Sequence, residues 1–100
     1  MALWAPDALV ELRLFPSDAG GRTGPTPTGW WGCPLSINGD LFDGRFDLSE
    51  TGPLQPGELR VVPLKFLSPD IVRTLITEGQ ELQVWEGGFI GKAAVLALYW

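Results

Sequence analysis

The chain has no histidine, and that absence removes more chemistry than any residue it contains adds. Ser-His and Cys-His nucleophile pairs and histidine-metal sites are all excluded together. Cysteine is nearly absent too: Cys33 stands alone. It has no partner for an internal disulfide or a thiolate metal cage, so a reducing, cytoplasmic setting is expected. Between Gly32 and Pro34, with no basic residue close in sequence to lower its pKa, Cys33 reads as a core or loop thiol rather than a nucleophile. A phosphate-binding Gly-x-x-x-x-Gly-Lys-Ser/Thr loop is missing, which argues against a nucleotide ligand. No cofactor is implied, and the expected protein is not an enzyme. Asp43 and Asp47 could be paired as glycosidase carboxylates only by chance, because they lie in an acidic stretch.

Positive charge is scarce. Seven basic residues against twelve acidic ones give a formal net charge of −5, which opposes binding to a phosphate backbone; nucleic acid is therefore not an expected partner. Asp40, Asp43, Asp47 and Glu50 crowd one short window with only Arg45 to offset them. They read as a solvated loop and strand edge or as a docking patch for a basic partner, and their spacing with Asn38 does not match a calcium loop. Long hydrophobic runs are missing as well. The apolar stretch 93–100 falls well short of the roughly 20 residues of a spanning helix, and Asp7 and Glu11 stand where a secretory leader would be basic or apolar, so a soluble chain with no membrane association is expected.

What the chain does have is short alternating segments divided by Gly and Pro. Ala8, Val10, Leu12 and Leu14 alternate with Leu9, Glu11 and Arg13, the period of a strand with one buried face. The Gly- and Pro-rich stretch 16–34 predicts a long ordered loop with short extended pieces. Asn38-Gly39 predicts a type I′ hairpin, with a further short strand over 45–48. The segment 59–67 is the longest clear strand, and Pro63, unable to donate to a ladder, places it at an edge or a bulge. Ser68, Pro69 and Asp70 together form a helix start, as cap, first-turn proline and acid at the positive end of the dipole, so one short helix is expected near residues 69–75. Segments 80–86 and 89–99 then read as strands joined at Gly87-Gly88. The pattern predicts a single all-β domain over residues 1–100, a small antiparallel, Greek-key-like closed β-barrel that leaves no free sheet edges.

The run Val10-Glu11-Leu12-Arg13-Leu14-Phe15, then Gly20-Gly21-Arg22-Thr23-Gly24, then Thr28-Gly29-Trp30, resembles the opening of the third, C-terminal β-barrel domain of translation elongation factor Tu. Pro56-Gly57, Ser68-Pro69 and Glu86-Gly87-Gly88 with Gly91 fall where that domain has similar features, and the likeness covers residues 8–98. The resemblance implies a barrel that docks against other macromolecules, without the GTPase domain of the family. Arg22 matches the first of the family's turns to the tRNA. The second turn, Gly88-Phe89-Ile90-Gly91, is a residue shorter and lacks the family's Arg. Trp31 stands where the family has Arg, and Gly32 where it has Pro.

Five tryptophans in one hundred residues is a high count. Trp30 and Trp31 point to opposite faces of extended backbone, so one of them lies near the surface, as a plug for the long loop, an interface anchor or a ligand-stacking platform. The last strand is apolar on both faces and needs cover from loops or from another protein. The expected function is a free-standing, non-catalytic protein-interaction barrel, self-association included, with Arg22, Trp31, Trp85, Phe89 and Trp100 as contact residues. A small-molecule or carbohydrate-binding barrel and a translation-related tRNA- or RNA-binding accessory protein are the alternatives.

Overall fold

The computed structural model describes residues 5–100; residues 1–4, the start of the stretch weighed as a leader, lie outside them. Six strands follow one another: β1 (Ala8–Leu14), β2 (Gly29–Ile37), β3 (Asp40–Leu48), β4 (Leu59–Phe66), β5 (Glu81–Trp85) and β6 (Phe89–Leu98). They close into an antiparallel barrel in the order β1-β4-β3-β2-β5-β6. Strands β2, β3 and β4 form a meander and β1 lies beside β4, which is the Greek-key arrangement expected from the sequence. No helix among the described residues is long and apolar enough to cross a membrane.

The alternation in β1 does what its period demands: Ala8, Val10, Leu12 and Leu14 are all fully buried. Val62, Leu64 and Phe66 of β4 join them, with Phe46, Leu35, Leu82 and Val84 from the other strands. Fully burying each such side chain stabilises the fold by about 1.5–3 kcal/mol. The Asn38-Gly39 hairpin is of type I′, with φ of 52° and 89° at its two central residues. Of each glycine pair only the first member has positive φ, Gly20 at 88° and Gly87 at 71°.

Three local expectations are corrected. The stretch 16–34 is a loop only as far as residue 28, since β2 starts at Gly29 and runs through Pro34. Pro34 fits because β5 pairs with β2 only at Leu35 and Ser36, so the proline borders that ladder instead of interrupting it. Pro63 is accommodated in the same way. The β3–β4 pairing ends at Leu64, so Pro63 is paired on one side only, with Leu9 of β1, and the expected edge position holds locally although β4 lies within the closed barrel. Residues 40–48 form one strand rather than two pieces, because Gly44 is a packing device: a Cβ there would come within 2.8 Å of Leu35 Cδ1. Finally, α1 (Pro69–Val72) is a single turn, and Ser68 caps it through its carbonyl, which accepts from the amides of Ile71 and Val72 at 3.2 and 3.1 Å, not through its side chain.

The antiparallel order sorts the connections. The β1–β2 and β3–β4 loops and the β5–β6 turn emerge at one end of the barrel. The Asn38-Gly39 hairpin, the α1 connection and the segments flanking β1 and β6 lie at the other.

Candidate aromatic and ionic site at the loop end

Arg22 is carried by the β1–β2 loop in a fixed position. Just before it, the Gly21 amide donates to the Pro16 carbonyl at 3.0 Å, and the Ser17 hydroxyl donates to the Arg22 carbonyl at 2.7 Å. Gly21 is essential for this path, because a Cβ would lie 1.9 Å from the Phe15 carbonyl oxygen. Further on, Thr26 straps the loop to its neighbour. Its amide donates to the Leu54 carbonyl, and its hydroxyl accepts from the Leu54 amide, both at 2.9 Å. Leu54 itself is fully buried, so the β3–β4 loop plugs the same end of the core.

The Arg22 guanidinium makes four kinds of contact at once. One terminal nitrogen donates to both carboxylate oxygens of Glu86, the other donates to the Pro25 carbonyl at 3.1 Å, and Nε donates to the Gly24 carbonyl at 3.3 Å. Its carbon sits 5.7 Å from the Trp31 ring centroid, within cation–π range. Glu86 opens the β5–β6 turn, so this ion pair ties two turns 64 residues apart in sequence. On that turn, Trp85 and Phe89 meet edge to face with centroids 5.2 Å apart. Phe89 is 46% exposed.

Four of the five predicted contact residues, Arg22, Trp31, Trp85 and Phe89, therefore gather at one end of the barrel. Their roles differ from the expectation. Trp31 is not a surface residue: it is 3% exposed and packs on Phe46 with ring centroids 5.5 Å apart, leaving the partly exposed face to Trp30. Arg22 is committed to holding the loops. Trp100 lies at the opposite end, its ring 6.2 Å from that of Phe66. Glu86, the residue that completes the cluster, is not among the contact residues expected from the sequence, where it marks only a turn. An Arg after one glycine pair and a Glu before the other were its sole signal.

Cys33 lies near the ion pair and is buried. Burial pushes its thiol up to about 12; Glu86 and then Asp43 add to the effect and Arg22 opposes it. The thiol is protonated at neutral pH and supplies no nucleophile. Among the described residues no three His, Cys, Asp or Glu side chains gather as a metal-binding group. The acidic window lies along the outside of β3, where Asp40 and Asp43 are exposed and Asp47 is half-buried. Asp47 accepts from the Ser49 amide at 3.0 Å.

Near Trp100, a groove of about 250 Å³ is lined by Arg45, Lys65, Phe66 and Leu67. Its positive charge is offset locally: Lys65 pairs with Asp7 at 3.1 Å, and Asp7 also accepts from the Phe66 amide at 2.9 Å. What the loop end offers chemically is a pre-positioned aromatic edge beside a neutralised ion pair, a surface suited to packing. The fold defines the class of the protein as a closed six-stranded Greek-key barrel. No family model matches the chain, and no curated protein sequence matches it.

Proposed function

We propose that this barrel is a non-catalytic protein-interaction module whose contact surface is the aromatic rim of Trp85 and Phe89. The observation that carries the reading is Phe89: a large apolar side chain, nearly half exposed, held against Trp85 on a turn that Arg22 clamps from the neighbouring loop. An aromatic anchor fixed before binding loses little conformational entropy on docking, which is how few residues come to dominate an interface. A likeness to the third barrel of elongation factor Tu belongs to the same proposal, because barrels of that kind work by packing on neighbours. So does a cytoplasmic setting, where a lone thiol stays reduced.

The test is capture from native extract on immobilised wild-type chain, on a Phe89→Ser variant and on a Trp100→Ala variant. A partner retained by wild type and Trp100→Ala and lost by Phe89→Ser supports the reading. Identical capture by all three sinks it. The ligand alternatives are read in parallel: saturable tryptophan quenching by a glycan, or retention of tRNA on a filter at low salt, would replace this proposal with one of them.

A further inference from the structure

The outer surface of β5, β6, β1 and β4 is ordered in rows set by strand register. Gln83, Lys92, Arg13 and Leu59 stand side by side in one row, and Glu81, Ala94, Glu11 and Val61 in the next. All but Leu59 adjoin a buried residue on their strand, and Leu59 is itself exposed, so all of them face outward. A basic row thus runs beside an acidic row, and both end in an exposed aliphatic residue, Leu59 at 46% and Val61 at 48%.

Two features of this face are unfavourable in an isolated barrel. Lys92 and Arg13 are like charges directly opposite each other across β6 and β1, an arrangement that destabilises a sheet. Lys92 finds relief in Glu81 at 3.4 Å, but Arg13 and Glu11 form no ion pair among the described residues. The molecule is also flattened, 36 × 33 × 20 Å, which makes its broad sides less convex than a round barrel. A hollow of about 330 Å³ lies among Glu11, Arg13, Leu59, Glu81 and Lys92.

We infer that two copies of the chain pack face to face through this surface, about a two-fold axis that runs along the rows and between them. This axis lays the basic row of one copy on the acidic row of the other. Arg13 of each copy then meets Glu11 of its partner, and Leu59 meets Val61. Lys92 falls over Ala94, flanked by Glu11 and Glu81. An axis turned across the rows would instead set basic on basic and acidic on acidic, so the pattern selects one arrangement. A standard interface takes about 800 Å² from each partner, roughly a seventh of the 5434 Å² surface of this chain. The pairing rests on the Arg13–Glu11 rows and not on Phe89, so the inference goes beyond the reading above, and the Arg13→Glu and Phe89→Ser variants tell the two apart.

Sedimentation equilibrium at physiological salt tests it. There the Debye length is about 8 Å, so the net charge of each copy is screened while contacting pairs are not. Wild type is expected to show a concentration-dependent dimer. Arg13→Glu sets like charges together twice per dimer and is expected to weaken association about tenfold or more. The swap Glu11→Arg with Arg13→Glu restores each pair with its polarity reversed and is expected to recover wild-type association. Arg73→Glu changes the net charge equally from a site off this face, and is expected to change nothing. A constant mass of 10.9 kDa up to millimolar concentration overturns the inference. So does association that Arg13→Glu leaves intact, or that the swap fails to restore while near-ultraviolet dichroism shows both variants folded.

Discussion

Removing Arg22 tests whether the loop end is held by its charge pair or by everything else that the guanidinium touches. The Arg22 side chain is 20% exposed and that of Glu86 41%, so the ion pair is partly screened and contributes about 0.5 kcal/mol. The stack over Trp31 adds about 0.5–1 kcal/mol. The bonds to the Gly24 and Pro25 carbonyls add about 1 kcal/mol each. Arg22→Ala is therefore expected to cost about 3–3.5 kcal/mol, and in a domain of this size each kcal/mol lowers Tm by about 4–8 °C. Glu86→Gln keeps the packing and one acceptor and is expected to cost about 0.5 kcal/mol. Chemical denaturation of both single variants and the double variant separates the contributions, with a coupling of about 0.5 kcal/mol expected between them. If Glu86→Gln destabilises as much as Arg22→Ala, the ion pair itself is the clamp, and the stack and carbonyl bonds contribute little.

Other consequences are as direct. Gly21→Ala pushes a methyl group into the Phe15 carbonyl and is expected to destabilise by about 3 kcal/mol or more. Gly24→Ala, with nothing within 4 Å of the added atom, is the matched control, and equal thermal stability of the two would refute the close-approach argument. Phe89→Ser is expected to cost less than about 1 kcal/mol because the ring is already half in water; a collapse of the fold would make Phe89 a structural residue rather than a contact. Cys33 gives a pH signature. Its folded pKa lies above the unfolded value of 9.0, so its contribution to stability is complete below pH 9 and is lost as the pH rises toward about 12. The slope is about 1.4 kcal/mol per pH unit in that window, and a Cys33→Ala variant should lack it when unfolding is followed from pH 8 to 11.

The parts of the fold legible from sequence are those fixed by local backbone and face. Ala8, Val10, Leu12 and Leu14 announce β1 because alternate residues of any strand share a side, and Asn38-Gly39 announces its turn because both residues tolerate positive φ. What was not legible depends on neighbours distant in sequence. Pro34 and Pro63 are harmless only because a ladder stops beside each of them. Gly44 looks like a break until Leu35 and Leu64 are seen filling its space. The Trp30-Trp31 pair could be split between two faces but not assigned, because the assignment comes from pairing with β3, where Trp31 stands opposite Phe46 inside the barrel. The Arg22–Glu86 bond joins turns that no local pattern connects.

Closing the barrel has a consequence for how the two proposed surfaces relate. With its backbone ladders closed on themselves and its interior packed, the barrel has only its loop ends and the outward rows of its strands left for recognition. The Trp85–Phe89 rim belongs to the first kind and the Arg13–Glu11 rows to the second. Strand β6 links them, since it begins at Phe89 and carries Lys92 and Ala94 two and four pairs further along. A rigid strand fixes the spacing of the two surfaces without making either depend on the other's occupancy. Arg13→Glu should therefore weaken pairing of copies while leaving capture through Phe89 intact, and Phe89→Ser should weaken capture while leaving pairing intact. Were both activities to fail together in folded variants, they would have to be a single interface wrapped around the start of β6.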